Sequence, residues 1–107
     1  MNKMTRAEKQ EVRLNKYTAE WSALENEKRH YYRKKWLEND LESSTIQTLY
    51  MMQDRIDYLV LQIVKKVDWL IRNGEYFDNE IAIQVYNQYA SGLHRGLTCL
   101  LHHFEDR

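Results

Sequence analysis

Between Ile46 and Leu70 the apolar residues recur at spacings of three and four without a break. The run is Ile46, Leu49, Ile56, Val60, Ile63, Val67 and Leu70, with Gln53 as its one polar member. An α-helix places positions so spaced on one face, and a stripe this regular is the seam of a coiled-coil-like packing. The rest of the chain offers few alternatives to helix. Its 107 residues include no Pro and three Gly, whereas a β-fold needs many tight turns, most of them built on those two residues. The expected fold is therefore all-α, with three long helices in a mostly antiparallel bundle. It forms a single domain over residues 1–107, because a chain this short encloses one core.

Polar residues with capping chemistry divide the chain. Thr5 followed by Glu8 fits a capping box, so the first helix is expected over 5–39, ending where Asn39 and Asp40 precede a Ser-Ser-Thr cluster. Ser44 with Gln47 offers a second box and starts the central helix, expected over 44–73. Asn73-Gly74 closes it, since glycine tolerates the left-handed conformation at a helix end. Asp78 is the expected N-cap of the third helix, 79–104, with Glu80 favoured in its first turn by the helix dipole.

The central helix is apolar off its seam as well. Tyr50, Met52, Tyr58, Leu59, Leu61, Val64, Trp69 and Ile71 carry apolar surface nearly round the cylinder, and such a helix must be covered on all sides. Helix one offers Leu14, Tyr17, Trp21, Leu24 and Tyr31; helix three offers Ala82, Tyr86, Tyr89, Leu93, Leu97, Leu100 and Phe104. Unless loop aromatics such as Tyr76 and Phe77 close the gap, two neighbours leave a flank open, at about 25 cal/mol per Å² of exposed apolar surface. The expectation is a homodimer formed through Gln53, Val60, Leu61 and Val64, with Gln53 setting register. In helix three, Gly92 and Gly96 lie on one flank with Cys99 and His103, a strip that permits close helix approach.

Charge is balanced overall, 16 against 16, yet unevenly distributed. Residues 1–36 hold ten basic and five acidic side chains, and residues 37–107 hold six and eleven. The sharpest stretch runs from Glu27 to Trp36, where Lys28, Arg29, Tyr32, Arg33, Lys35 and Trp36 interleave cations with rings. Lys28 and Lys35 interrupt the apolar stripe begun by Tyr17, Trp21 and Leu24, so the second half of helix one is expected to present this surface outward to an acidic macromolecular partner. A nucleic-acid reading is the alternative, with cations on phosphates and Tyr32 and Trp36 stacking on bases. A near-neutral pI of about 6.9 weakens that alternative.

Other chemistries find little support. Cys99 has no second cysteine to pair with, which suits a reducing compartment. Cys99 and His103 with His94 and His102 are the nearest approach to a metal set, but the paired spacing of a structural zinc site is missing and His30 is remote, so no metal is expected. Cys99 with His103 as nucleophile and base would sit on continuous helix without an oxyanion site. Asp54 and Asp57 flank Arg55 as surface ion pairing. Without a phosphate loop, metalloprotease helix or nucleophile elbow, neither an enzyme, a cofactor nor a small-molecule substrate is expected. MNKMTRAEKQ has no apolar run behind its charges, and no stretch approaches the roughly 20 apolar residues of a membrane span, so a cytoplasmic location is expected. The functional expectation is a small helical interaction protein, an adaptor or an inhibitor of a larger machine such as phages and mobile elements encode.

Overall fold

A computed structural model of the protein describes residues 3–89. Among these, three helices are present: α1 (Arg6–Leu37), α2 (Ser43–Arg72) and α3 (Glu80–Asn87). The chain is all-α over the described residues, as the missing turn residues required. The expected run of the third helix to 104, the Gly92–Gly96 strip and the Cys99–His103 pair lie outside the described residues.

The helix ends follow from local chemistry. Thr5 accepts the Glu8 backbone N–H at 3.1 Å, and its hydroxyl donates to Glu8 Oε1. The box thus closes through the two side chains. At the far end Asn39 takes a left-handed φ of 52°. The Asn39 and Asp40 N–H groups then donate back to the Trp36 and Lys35 carbonyls, in the pattern of a Schellman ending. Gly74, at φ 64°, closes α2 in the same way, its N–H and that of Glu75 reaching Ile71 and Leu70.

Two expected caps are corrected. α2 starts at Ser43 behind Glu42, which makes no side-chain cap; Ser44 is already inside the first turn, so the Ser44–Gln47 box does not form. For α3 the cap is Asn79 in place of Asp78. Asn79 Oδ1 accepts from Ala82 N at 3.0 Å, while its amide donates to Asn15 Oδ1 at 2.8 Å and Thr18 Oγ1 at 3.3 Å. A carboxylate could cap but not donate, so only the amide both starts α3 and holds it on α1. Asn79→Ala is expected to cost about 1–2 kcal/mol, the size of a lost cap, read from urea unfolding.

α1 and α2 form an antiparallel hairpin, as the contacts along it show. Arg6 lies over the Trp69 ring at 5.2 Å, Tyr17 meets Tyr58 edge to face at 6.5 Å, and Glu20 holds Arg55 through bonds of 2.6 and 2.9 Å. α3 packs on one side of the hairpin. The core joins Leu14 of α1, Ile56, Val60, Ile63, Val64, Val67 and Leu70 of α2, and Ala82 and Val85 of α3. Tyr17, Trp21, Leu24, Phe77, Tyr86 and Tyr89 pack against it.

This core corrects the expected pairing surface. Val60, Leu61 and Val64 are 4%, 3% and 5% exposed in a single chain, so no second copy is needed to cover them. Tyr17 and Trp21 of α1 and the inter-helix residue Phe77 pack against the cluster that holds Val60 and Val64. Of the two loop aromatics, Phe77 is drawn in while Tyr76 stays 88% exposed.

The Glu20–Arg55 pair gives the hairpin a pH dependence. The Arg55 hydrogen bonds hold the Glu20 carboxyl below its usual range. A lowered acid contributes stability above its ordinary pKa of 4.5 that disappears as pH falls through the folded value. Glu20→Gln is therefore expected to flatten the loss of urea stability below about pH 4.5, and to change little at pH 7 in high salt.

Candidate interaction surface

α3's described part covers only one half of the hairpin. Beyond it, toward the turn at residues 38–42, the seam between α1 and α2 stays open among the described residues. A hollow of about 430 Å³ lies there, lined by Glu25, Lys28, Arg29 and Tyr32 of α1 and Leu49 of α2. A second, of about 270 Å³, shares Lys28 and Leu49 and adds Ile46, Tyr50 and Gln53. Together they form a shallow groove with an apolar floor and a cationic wall.

The structure splits the expected partner-binding residues into two groups. Lys28 turns inward across the seam, where its ammonium donates to Gln53 Oε1, and Gln53 in turn donates to Asp57 Oδ1 at 2.7 Å. Gln53 therefore bonds through both ends of its amide within one chain, to Lys28 of α1 and to Asp57 of its own helix. Lys35 also turns in, bonding Asp40 at 3.1 Å beneath the α1 ending and lying over the Tyr31 ring at 5.7 Å. That carboxylate holds the Lys35 ammonium above its ordinary pKa.

Arg29, Tyr32, Arg33 and Trp36 point outward, as expected. Tyr32 and Trp36 are stacked, with ring centroids 6.3 Å apart and planes at 23°, and are 47% and 60% exposed. The spacing of four makes this possible, since it brings side chains into line on a helix surface. Among the described residues, neither Arg29 nor Arg33 has an ion-pair partner. The ledge is thus two unneutralised guanidinium groups beside an exposed double ring. Planar guanidinium groups bind carboxylates and phosphates through paired hydrogen bonds, and exposed rings supply area at low entropic cost.

Sequence reasoning missed that Glu25, Ile46 and Tyr50 line this region. The signal was available in the antiparallel register, which brings Ile46 and Leu49 level with Lys28 and Tyr32 once the turn is fixed at Asn39. Among the described residues no group of three or more His, Cys, Asp or Glu is placed to hold a metal ion, and no helix is long and apolar enough to cross a membrane. Cys99, His94, His102 and His103 lie outside the described residues. In comparisons with known proteins, no family model, no curated protein and no solved structure matches this chain.

Proposed function

We propose that this chain is a small, non-catalytic helical interaction protein that engages an acidic, partly apolar surface of a larger protein with the ledge of Arg29, Tyr32, Arg33 and Trp36. The observation that carries the reading is an exposed Tyr32–Trp36 stack flanked by Arg29 and Arg33, which have no ion-pair partner among the described residues. Arginine and large aromatic residues dominate binding energy at protein interfaces. A protein of this size acts by occupying a site on its partner, as an adaptor or an inhibitor. Pairing of two copies through Val60, Leu61 and Val64 is not part of the proposal, because those side chains are core.

The same ledge favours one other reading. Alternating cations and stacked rings suit single-stranded nucleic acid, with Tyr32 and Trp36 as the base platform. The test uses the wild-type chain and the triple variant Arg29→Ala, Arg33→Ala, Trp36→Ala, which alters only exposed side chains. A protein captured by the wild type is purified, recombined with both chains and titrated. The variant is expected to bind it at least 100-fold more weakly, the sum of two or more losses near 2 kcal/mol each, with melting unchanged. Equal binding by both chains would refute the ledge. Retention of an oligonucleotide alone, with affinity falling steeply with salt, would replace the protein reading by the nucleic-acid one.

A further inference from the structure

α3 follows one side of the α1–α2 seam, where Asn79 bonds Asn15 and Thr18. The other side of the seam is closed by cations on rings. Arg6 lies over Trp69 at 5.2 Å, Lys66 over Tyr17 at 5.3 Å and Arg55 over Tyr58 at 4.9 Å. Spacings of three and four put Lys9, Arg13 and Lys16 in line with Arg6 on that flank of α1, and all four are exposed. Arg13 is close enough to Lys66 to act on it. Burial first, then the positive charges of Arg13 and Lys65, hold the half-buried Lys66 ammonium below its ordinary pKa. Two acids of this region are already engaged, Glu20 by Arg55 and Asp68 by Arg72. Among the described residues, Arg6, Lys9, Arg13, Lys16 and Lys66 have no ion-pair partner.

We propose that this flank is a second binding surface, which takes the phosphate backbone of duplex nucleic acid without reading its sequence. From Arg6 to Lys16 the cations run about 15 Å along α1, and a duplex presents one negative charge per roughly 1.7 Å of its axis, so about nine phosphates pass along that length. A protein partner suits this flank poorly. Protein interfaces draw their energy from buried aromatic and apolar anchors, whereas Trp69, Tyr17 and Tyr58 each already carry a cation of the same chain. A single strand suits it less than a duplex for the same reason, being held by bases that stack on free rings as well as by charge. Contacts to phosphate alone carry no sequence information. Attraction follows local charge, so the zero net charge of the chain does not oppose it. Lys66, repelled by its neighbours and without a carboxylate among the described residues, gains most from an anion.

This surface stands apart from the ledge, since about 20 Å of α1 separate Lys16 from Arg29. The test titrates a short fluorescent DNA duplex of arbitrary sequence into the full chain over a range of salt. With five phosphates neutralised, affinity is expected to fall with salt at a slope of about −4 to −5 on logarithmic axes. Lys9→Gln, Arg13→Gln and Lys16→Gln, combined in one chain, alter only exposed side chains. They are expected to flatten the slope to about −2 and to weaken binding about 100-fold or more near ~50 mM salt, with melting unchanged. The chain carrying Arg29→Ala, Arg33→Ala and Trp36→Ala is expected to bind the duplex as the wild type does. Absence of duplex binding at low salt would overturn the proposal. Equal loss in both variants would also overturn it, because binding would then follow net charge. Loss in the ledge variant alone would move the nucleic acid to the ledge. Tighter binding of a single strand than of the duplex would refute the duplex assignment, and retention on phosphatidylserine vesicles in place of the duplex would replace it by an anionic membrane.

Discussion

Val60→Asp is expected to destroy the folded state of the isolated chain. Val60 is 4% exposed in a cluster of Leu14, Ile56, Ile63, Val64, Val67, Leu70, Ala82 and Val85, all of them aliphatic. An unpaired buried charge is among the few single changes that cost about 4 kcal/mol or more, against a total stability of roughly 5–15 kcal/mol for a small domain. Either the chain unfolds at room temperature, or it folds only at acidic pH with the carboxyl protonated. Met51→Asp on the same helix is the control: Met51 is 66% exposed, and its replacement is expected to stay within about 0.5 kcal/mol. Urea unfolding followed by far-ultraviolet circular dichroism measures both. A Val60→Asp chain as stable as the Met51→Asp chain would place Val60 on the surface.

Leu14→Ala is expected to have the next largest effect, about 3 kcal/mol. α1 is a polar helix that buries Leu14 and Thr18 alone, and its half-buried rings lean on the core that Leu14 completes. Thr18 depends on the same turn, since its hydroxyl donates to the Leu14 carbonyl at 2.7 Å and accepts from Asn79. Truncating Leu14 leaves a cavity where α1, α2 and α3 meet, and α1 has few other apolar anchors with which to close it. The melting temperature is expected to fall by about 12 °C or more, at roughly 4 °C or more per kcal/mol for a domain this small. Val12→Ala, two residues away but 53% exposed, is expected to shift it by little.

What could be read from the sequence, and what could not, follows from the range of the interactions. The stripe and the Asn73-Gly74 ending depend on neighbours a few residues apart: the ending emerges where expected, and the seam is buried from Ile56 to Leu70, while Ile46 at its start stays 43% exposed. The Thr5 cap also emerges where expected. The third helix's cap was misplaced by one residue because the choice between Asp78 and Asn79 is made by Asn15 and Thr18, more than sixty residues upstream. The central helix was expected to need a second copy because its covering was judged from the arc of each neighbour's stripe. An arc does not capture Tyr17, Trp21 and Phe77, which pack against the core from a helix and from a connection. Lys28 and Lys35 show the same limit at the candidate site: both break the apolar stripe of α1, yet Gln53 and Asp40 turn them inward, leaving Arg29, Tyr32, Arg33 and Trp36 as the outward set. Their alternation along α1 is visible; which of them bond inward is not, because the partners lie across the hairpin or beyond its turn.

The middle of α2 is buried within one chain, with Val60, Leu61 and Val64 each 5% exposed or less. Thermal unfolding of the wild-type protein over a roughly 100-fold range of concentration tests this directly, because folding coupled to association makes the midpoint depend on concentration. A constant midpoint, with light scattering reporting the mass of one chain of 13.1 kDa at the dilute end, is the expected result. A midpoint that climbs steadily with concentration would contradict it, and would mean that the middle of α2 is completed by another copy.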